Sequence, residues 1–233
     1  MEKYNLIKLS TDENAFVTSA EKDYGEIYVN ANSFVNLLWH FIGNNVHPHA
    51  WMFMMFMSQV KKSMTLALLS FIRRHDVQGH LMLRHALESA VFACYSLNNP
   101  DSEEFGKINE KGSVDLSDKG KENAYKWIED NYERYSKIIE IKKKRINKLY
   151  AHSNIMTSHS NFKVTEQQVI NSYFDFLEVH ITKAWIWNVA NISWCLLDLF
   201  LKIIRKHGGI ELIENVERQV KLLGQENDRL KAE

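Results

Sequence analysis

The chain has 233 residues, 45% of them hydrophobic, enough for one large core with appendages. Its 29 basic and 29 acidic residues cancel, which excludes a global field drawing it to nucleic acid or acidic lipid and leaves local patches for such contacts. With 9 glycines and only 2 prolines, the composition argues against a many-turned β fold and for long helices.

Met1 to Ser10 lacks an apolar run before a small-residue cleavage site, so no secretory signal is expected there. Residues 1–31 contain N-L-I-K-L-S, A-F-V-T-S and E-I-Y-V-N, short β-branched or alternating pieces that predict an irregular segment or a small hairpin. Helical periodicity begins at Asn32 or Ser33 with Phe34, Val35, Leu37, Leu38, Phe41 and Ile42, and Gly43-Asn44-Asn45 stops it. A second helix follows Pro48 from His49 to His75, with Met52, Met54, Met55, Met57 and Met64 read as core packing. Asp76 caps a third helix running to Leu97, closed by Asn98-Asn99-Pro100. Residues 98–118 read as an exposed loop, and Ser117 or Asp118 starts a long amphipathic helix that ends near Tyr150. His152 to Asn161 reads as a polar loop, and Thr165 caps a last long helix from Glu166 to His207, stopped by Gly208-Gly209. In the tail, Ile213, Val220 and Asn227 share one heptad-like register and Val216, Leu223 and Leu230 the other. This seam fits either pairing with a second chain or packing on its own domain.

The expected architecture is therefore all-α: a helical bundle of about five helices over 32–207, preceded by an irregular or β-hairpin segment over 1–31 and followed by a helical tail over 208–233. The apolar runs Ala50–Ile72 and Ala184–Ile204 are interrupted by Gln59, Lys61 and Lys62 and by Asn188, Asn191, Ser193 and Asp198, so both read as core helices and no membrane is expected. Cys94 and Cys195 sit in apolar runs and read as buried thiols in a reducing, cytoplasmic compartment.

Two constellations carry candidate chemistry. The first is G-H-L-M-L-R-H-A-L-E-S-A in the third helix, where His80, Arg84 and Glu88 recur at i, i+4, i+8 and share one face of an otherwise oily helix. Arg84 and Glu88 form either a pair within the helix or, since base-before-acid is the weaker order, pairs with other helices. The second is R-I-N-K-L-Y-A-H, where Arg145 can grip a phosphate and His152 can move a proton. Those two groups suffice to cleave RNA without a metal, because the 2′-hydroxyl is the nucleophile. Lys142, Lys143, Lys144 and Lys148 make a local basic run, and Tyr132, Tyr135 and Tyr150 are candidate stacking surfaces; a solvated helix face is the alternative. His47-Pro48-His49 lacks accompanying cysteines or carboxylates for a metal, and His180 reads as a core histidine. Phosphate-loop, dinucleotide and nucleophile-elbow motifs are missing from the sequence, so no cofactor is expected.

The R-x(4–6)-H pattern of Arg145 and His152 in a late helix resembles the HEPN superfamily (higher eukaryotes and prokaryotes nucleotide-binding). L-R-H-A-L-E-S-A is similar to HEPN-like bacterial proteins with an arginine and a glutamate on an early core helix. In the family the residue after the arginine is often polar; here it is Ile146, with Asn147 one step later. The resemblance covers about residues 32–207. It implies a metal-independent endoribonuclease or RNA-binding effector of the toxin or phage-defence kind. Arg145 and His152 would be catalytic, Arg84, Glu88 and Asn147 supporting, and the four lysines on RNA. It also implies a homodimer and a protein partner such as an antitoxin. The alternative from the residues alone is a non-catalytic helical interaction protein in which the same side chains form a structural polar network.

Overall fold

Asn5 opens the first helix by accepting a hydrogen bond from the Lys8 amide at 2.8 Å, and Gly25 at φ 59° ends it. A computed structural model gives the fold and describes residues 5–108, 110, 114–152 and 155–231. In chain order the elements are α1 (Leu6–Tyr24), α2 (Glu26–His40), β1 (Ile42–Val46), α3 (Trp51–Ile72), α4 (Asp76–Asn98), β2 (Gly106–Ile108), β3 (Val114–Leu116), α5 (Asp118–Leu149), α6 (Ile155–His159), β4 (Phe162–Val164), β5 (Val169–Asn171), α7 (Val179–His207), β6 (Ile210–Leu212) and α8 (Val216–Leu230). The fold is mainly α, 76% helical, with eight α-helices among the described residues.

Residues expected to be irregular before Asn32 are helical from Leu6 onward; Met1 to Tyr4 lie outside the described residues. In α2, Ile27, Asn30, Ala31, Phe34, Val35, Leu37 and Leu38 are buried, a helical spacing that packs on α7 and α8. That burial outweighs the strand preference of a few β-branched residues. Asn32 and Ser33 are consequently mid-helix.

The second correction concerns the last helix. It starts at Val179, because residues 162–171 form the antiparallel hairpin β4–β5. Thr165 turns that hairpin, its amide donating to the Gln168 carbonyl at 2.9 Å and its hydroxyl accepting from the Gln168 amide at 3.1 Å. His180 is accordingly exposed beside Glu178, at 3.1 Å, and is no core histidine. The expected loop over 98–118 holds the short hairpin β2–β3, and the part of it at 109 and 111–113 lies outside the described residues. The expected loop over 152–161 contains α6, with 153–154 likewise outside.

At the centre, α4 packs on α3 and α5, while α7 packs on α2, α3, α4 and α8. Phe34, Phe41, Phe53, Phe71 and Phe200 are fully buried there, as are Met57 and Met64. Cys94 and Cys195 are both buried free thiols. By length and composition α7 is apolar enough to cross a membrane, but 61% of its most apolar window is buried inside the fold, as expected of a core helix. The tail packs on its own domain: Val216, Val220, Gly224, Asn227 and Leu230 of α8 are buried, and the Trp187 indole donates to the Asn227 carbonyl at 2.7 Å.

Candidate functional site

The face of α4 bearing His80, Arg84 and Glu88 packs along α5, which runs in the opposite direction. At one end, the Arg84 guanidinium donates to Glu88 Oε1 at 3.3 Å and Lys143 Nζ reaches the same oxygen at 3.1 Å. Glu88 thus has both an in-helix and a cross-helix partner. Burial alone would raise its carboxyl, but the two cations hold it below the usual range. Lys143 also donates to the Tyr125 hydroxyl, and burial keeps its ammonium below the ordinary lysine value despite Glu88. This cluster is satisfied from within.

At the other end, His80 lies face to face on Tyr150, ring centroids 3.7 Å apart and planes at 17°. Phe71 and Trp185 meet the imidazole edge-on at 5.0 and 5.2 Å. His80 is 6% exposed, and neither ring nitrogen has a hydrogen-bond partner among the described residues. Burial, reinforced by the nearby Arg145 charge, pushes the imidazole down to about 3, so the ring is neutral.

One turn before His80 on α4 is a carboxyl pair. Asp175 Oδ2 accepts from the Asp76 amide at 2.7 Å and so caps α4 from outside, while Asp76 Oδ1 accepts from the Val77 amide at 2.8 Å. The Asp175 amide in turn donates to the Arg74 carbonyl at 3.0 Å, at a turn where Arg74 takes φ 61°. Both acids are buried, at 5% and 8% exposure. Burial first, and then a shared proton with Asp175 and its charge, push Asp76 up to about 8.

Arg145 is exposed near the end of α5, and its charge acts on His80, Tyr150 and Lys142. His152 is exposed just beyond the helix, in a cleft of about 530 Å³ whose other walls are Val77, Leu81, Tyr150, Ala151, Thr157, Ser158, Asn161 and Phe162. Arg145 is not among the residues lining this cleft; its charge bears on the Tyr150 hydroxyl, and Tyr150 shares the cleft with His152. Asn147 faces elsewhere, into a cavity with Tyr125, Lys143 and Lys144, and its side-chain oxygen has no partner among the described residues.

The four lysines do not form one surface. Lys142 donates to Asn188 on α7 at 2.5 Å, Lys143 turns to α4, Lys144 pairs with Glu140 at 2.5 Å, and Lys148 is exposed. Consecutive helical residues point about 100° apart, so a basic run wraps the helix. Of the tyrosines, Tyr135 is buried and donates to Asp198, and Tyr132 packs on Trp127, leaving Tyr150 at the cleft. Sequence reading missed Asp175; its one signal is an acid between two aromatics, Phe174-Asp175-Phe176. Among the described residues no group of three or more His, Cys, Asp or Glu side chains could hold a metal ion. No family model, curated protein or solved structure matches the chain.

Proposed function

We propose that the chain is a HEPN-like, metal-independent endoribonuclease or RNA-binding effector, supported above all by the place of His152 in a cleft with Tyr150, on whose hydroxyl the charge of Arg145 bears. In this reading α2, α3, α4, α5 and α7 form the bundle of about five helices. The Arg145 guanidinium grips the scissile phosphate and offsets the charge that builds on it. His152 takes the 2′-hydroxyl proton, the 2′-oxygen attacks the adjacent phosphorus, and the bond to the 5′-oxygen breaks as that oxygen gains a proton. Glu88, with Arg84 and Lys143, fixes α5 against α4, while Asn147, Lys142, Lys144 and Lys148 lie on the helix that RNA approaches. A cytoplasmic homodimer held in check by a protein partner, in a toxin or phage-defence setting, completes the reading.

A second reading is favoured by the engagement of Lys142, Lys143 and Lys144 within the fold: a non-catalytic helical interaction protein with a structural polar network. Cleavage of varied RNAs in excess EDTA by wild type, Arg145→Ala and His152→Ala decides between them. The expected outcome is cleavage by wild type and loss of at least about a hundredfold in each variant, with unchanged helical circular dichroism. A wild type that neither binds nor cleaves RNA favours the interaction protein.

A further inference from the structure

The cleft beside His152 has the parts of a stacking site. Its aromatic wall, Tyr150, is braced from behind by the parallel His80 ring, which Phe71 and Trp185 hold edge-on. A ring so backed keeps its orientation without a hydrogen bond. His80 also carries no charge that would oppose Arg145. Phe162, 40% exposed, supplies a second aromatic wall from β4. Two polar side chains of the lining, those of Ser158 and Asn161, make no hydrogen bond among the described residues, although the Asn161 carbonyl accepts from the Ser172 amide at 2.9 Å. At about 530 Å³ the cleft falls within the ordinary range for small-molecule sites.

We propose that this cleft is a base-reading subsite that takes one unpaired nucleobase of RNA, stacked on Tyr150, with Asn161 and Ser158 hydrogen-bonding to its edge. The inference rests on the RNA reading of Arg145 and His152 and adds to it what decides sequence preference. An aromatic floor accepts any base, because every base has a π-face, whereas an amide and a hydroxyl in the lining discriminate between base edges. Since Tyr150 and His152 line the same cleft, the base on Tyr150 lies next to the 2′-hydroxyl that His152 addresses. His80 is a positioning residue in this scheme, acting only through Tyr150.

Fluorescence anisotropy with the full chain and 2′-fluoro octanucleotides of U, C and A, which lack the attacking hydroxyl, tests this. Tyr150→Ala is expected to weaken binding about tenfold or more, and Tyr150→Phe to stay within about twofold of wild type. Tyr150→Leu covers His80 but cannot stack, and is expected to bind as weakly as Tyr150→Ala, which separates stacking from a folding defect. Asn161→Ala should shift the preference among the three oligonucleotides by about threefold. A 2-aminopurine probe should be quenched by wild type and Tyr150→Phe and remain bright with Tyr150→Leu. If Arg145→Ala weakens binding while Tyr150→Leu binds and quenches like wild type, the subsite is overturned and the RNA reading stands. If wild type binds none of the oligonucleotides, both fall.

Discussion

Asp76 and His80 sit one turn apart on α4, and both are held in their uncharged forms, for opposite reasons of sign. Between the ordinary 3.8 and about 8, the folded chain keeps a proton at Asp76 that the unfolded chain has released, so stability falls as pH rises through that window. Between 6.5 and about 3, the unfolded chain takes up a proton that folded His80 refuses, so stability falls as pH drops. The two slopes cancel between about 4 and 6.5, leaving a loss of about 1.4 kcal/mol per pH unit from 6.5 to 8. The charge bearing on Asp76 is that of Asp175, and the charge bearing on His80 is that of Arg145. Asp76→Asn keeps an oxygen for the Val77 amide and offers Asp175 a permanent donor. Urea unfolding at pH 6.5 and pH 8 should show wild type losing about 2 kcal/mol and Asp76→Asn losing almost none of it. Equal losses in the two proteins would remove the shared proton from the account.

At the scale of elements, the contact between α3 and α4 depends on Gly79. A Cβ at that position would fall 2.5 Å from the Phe71 ring, and Phe71 is wedged against His80 and Trp185. Alanine ordinarily favours a helix over glycine by about 1 kcal/mol, but this ring has nowhere to retreat. Gly79→Ala is expected to destabilise the fold by about 1–3 kcal/mol in urea unfolding, with the His80–Tyr150 stack disturbed as well. The long helices were legible because apolar residues recur at helical spacing over many turns, and Ser117 caps α5 as its sequence suggests, accepting from the Gly120 amide at 2.9 Å. Short pieces were not. Glu26-Ile27-Tyr28-Val29 alternates like a strand yet lies in α2, whereas Glu166-Gln167-Gln168-Val169 reads like a helix start yet closes a hairpin. In segments this short, local preference is worth less than the neighbour each piece packs against.

For the molecule as a whole, the C-terminal residues close the fold. β6 pairs antiparallel with β1, and α8 lies over α2 and α7, where Asn30 donates to Asn227 at 3.2 Å. An Asn in a heptad-like seam suggested a pairing device between chains; here it meets an Asn of the same chain. Ending the chain after Ile213 uncovers the sites filled by Val216, Val220 and Leu230, a loss of about 5 kcal/mol. The melting temperature should fall by roughly 10–20 °C, while light scattering should show the same oligomeric state as the full chain. A change of oligomeric state without a change in melting temperature would restore the seam to an intermolecular role.

By itself the sequence determined the mainly helical class, the buried thiols, the oily character of α4 and the polar line along it, because each follows from periodicity and composition within one element. It also offered Arg145 and His152 as candidates for the proposed chemistry. Only the tertiary structure decided what those groups face. Asp175 reaches Asp76 from a segment far along the chain, Tyr150 covers His80, and the basic run of α5 is shared out among three directions. The physical reason is that a side chain's partners and charge state are set by burial against other elements, and nothing in local spacing records which element that will be.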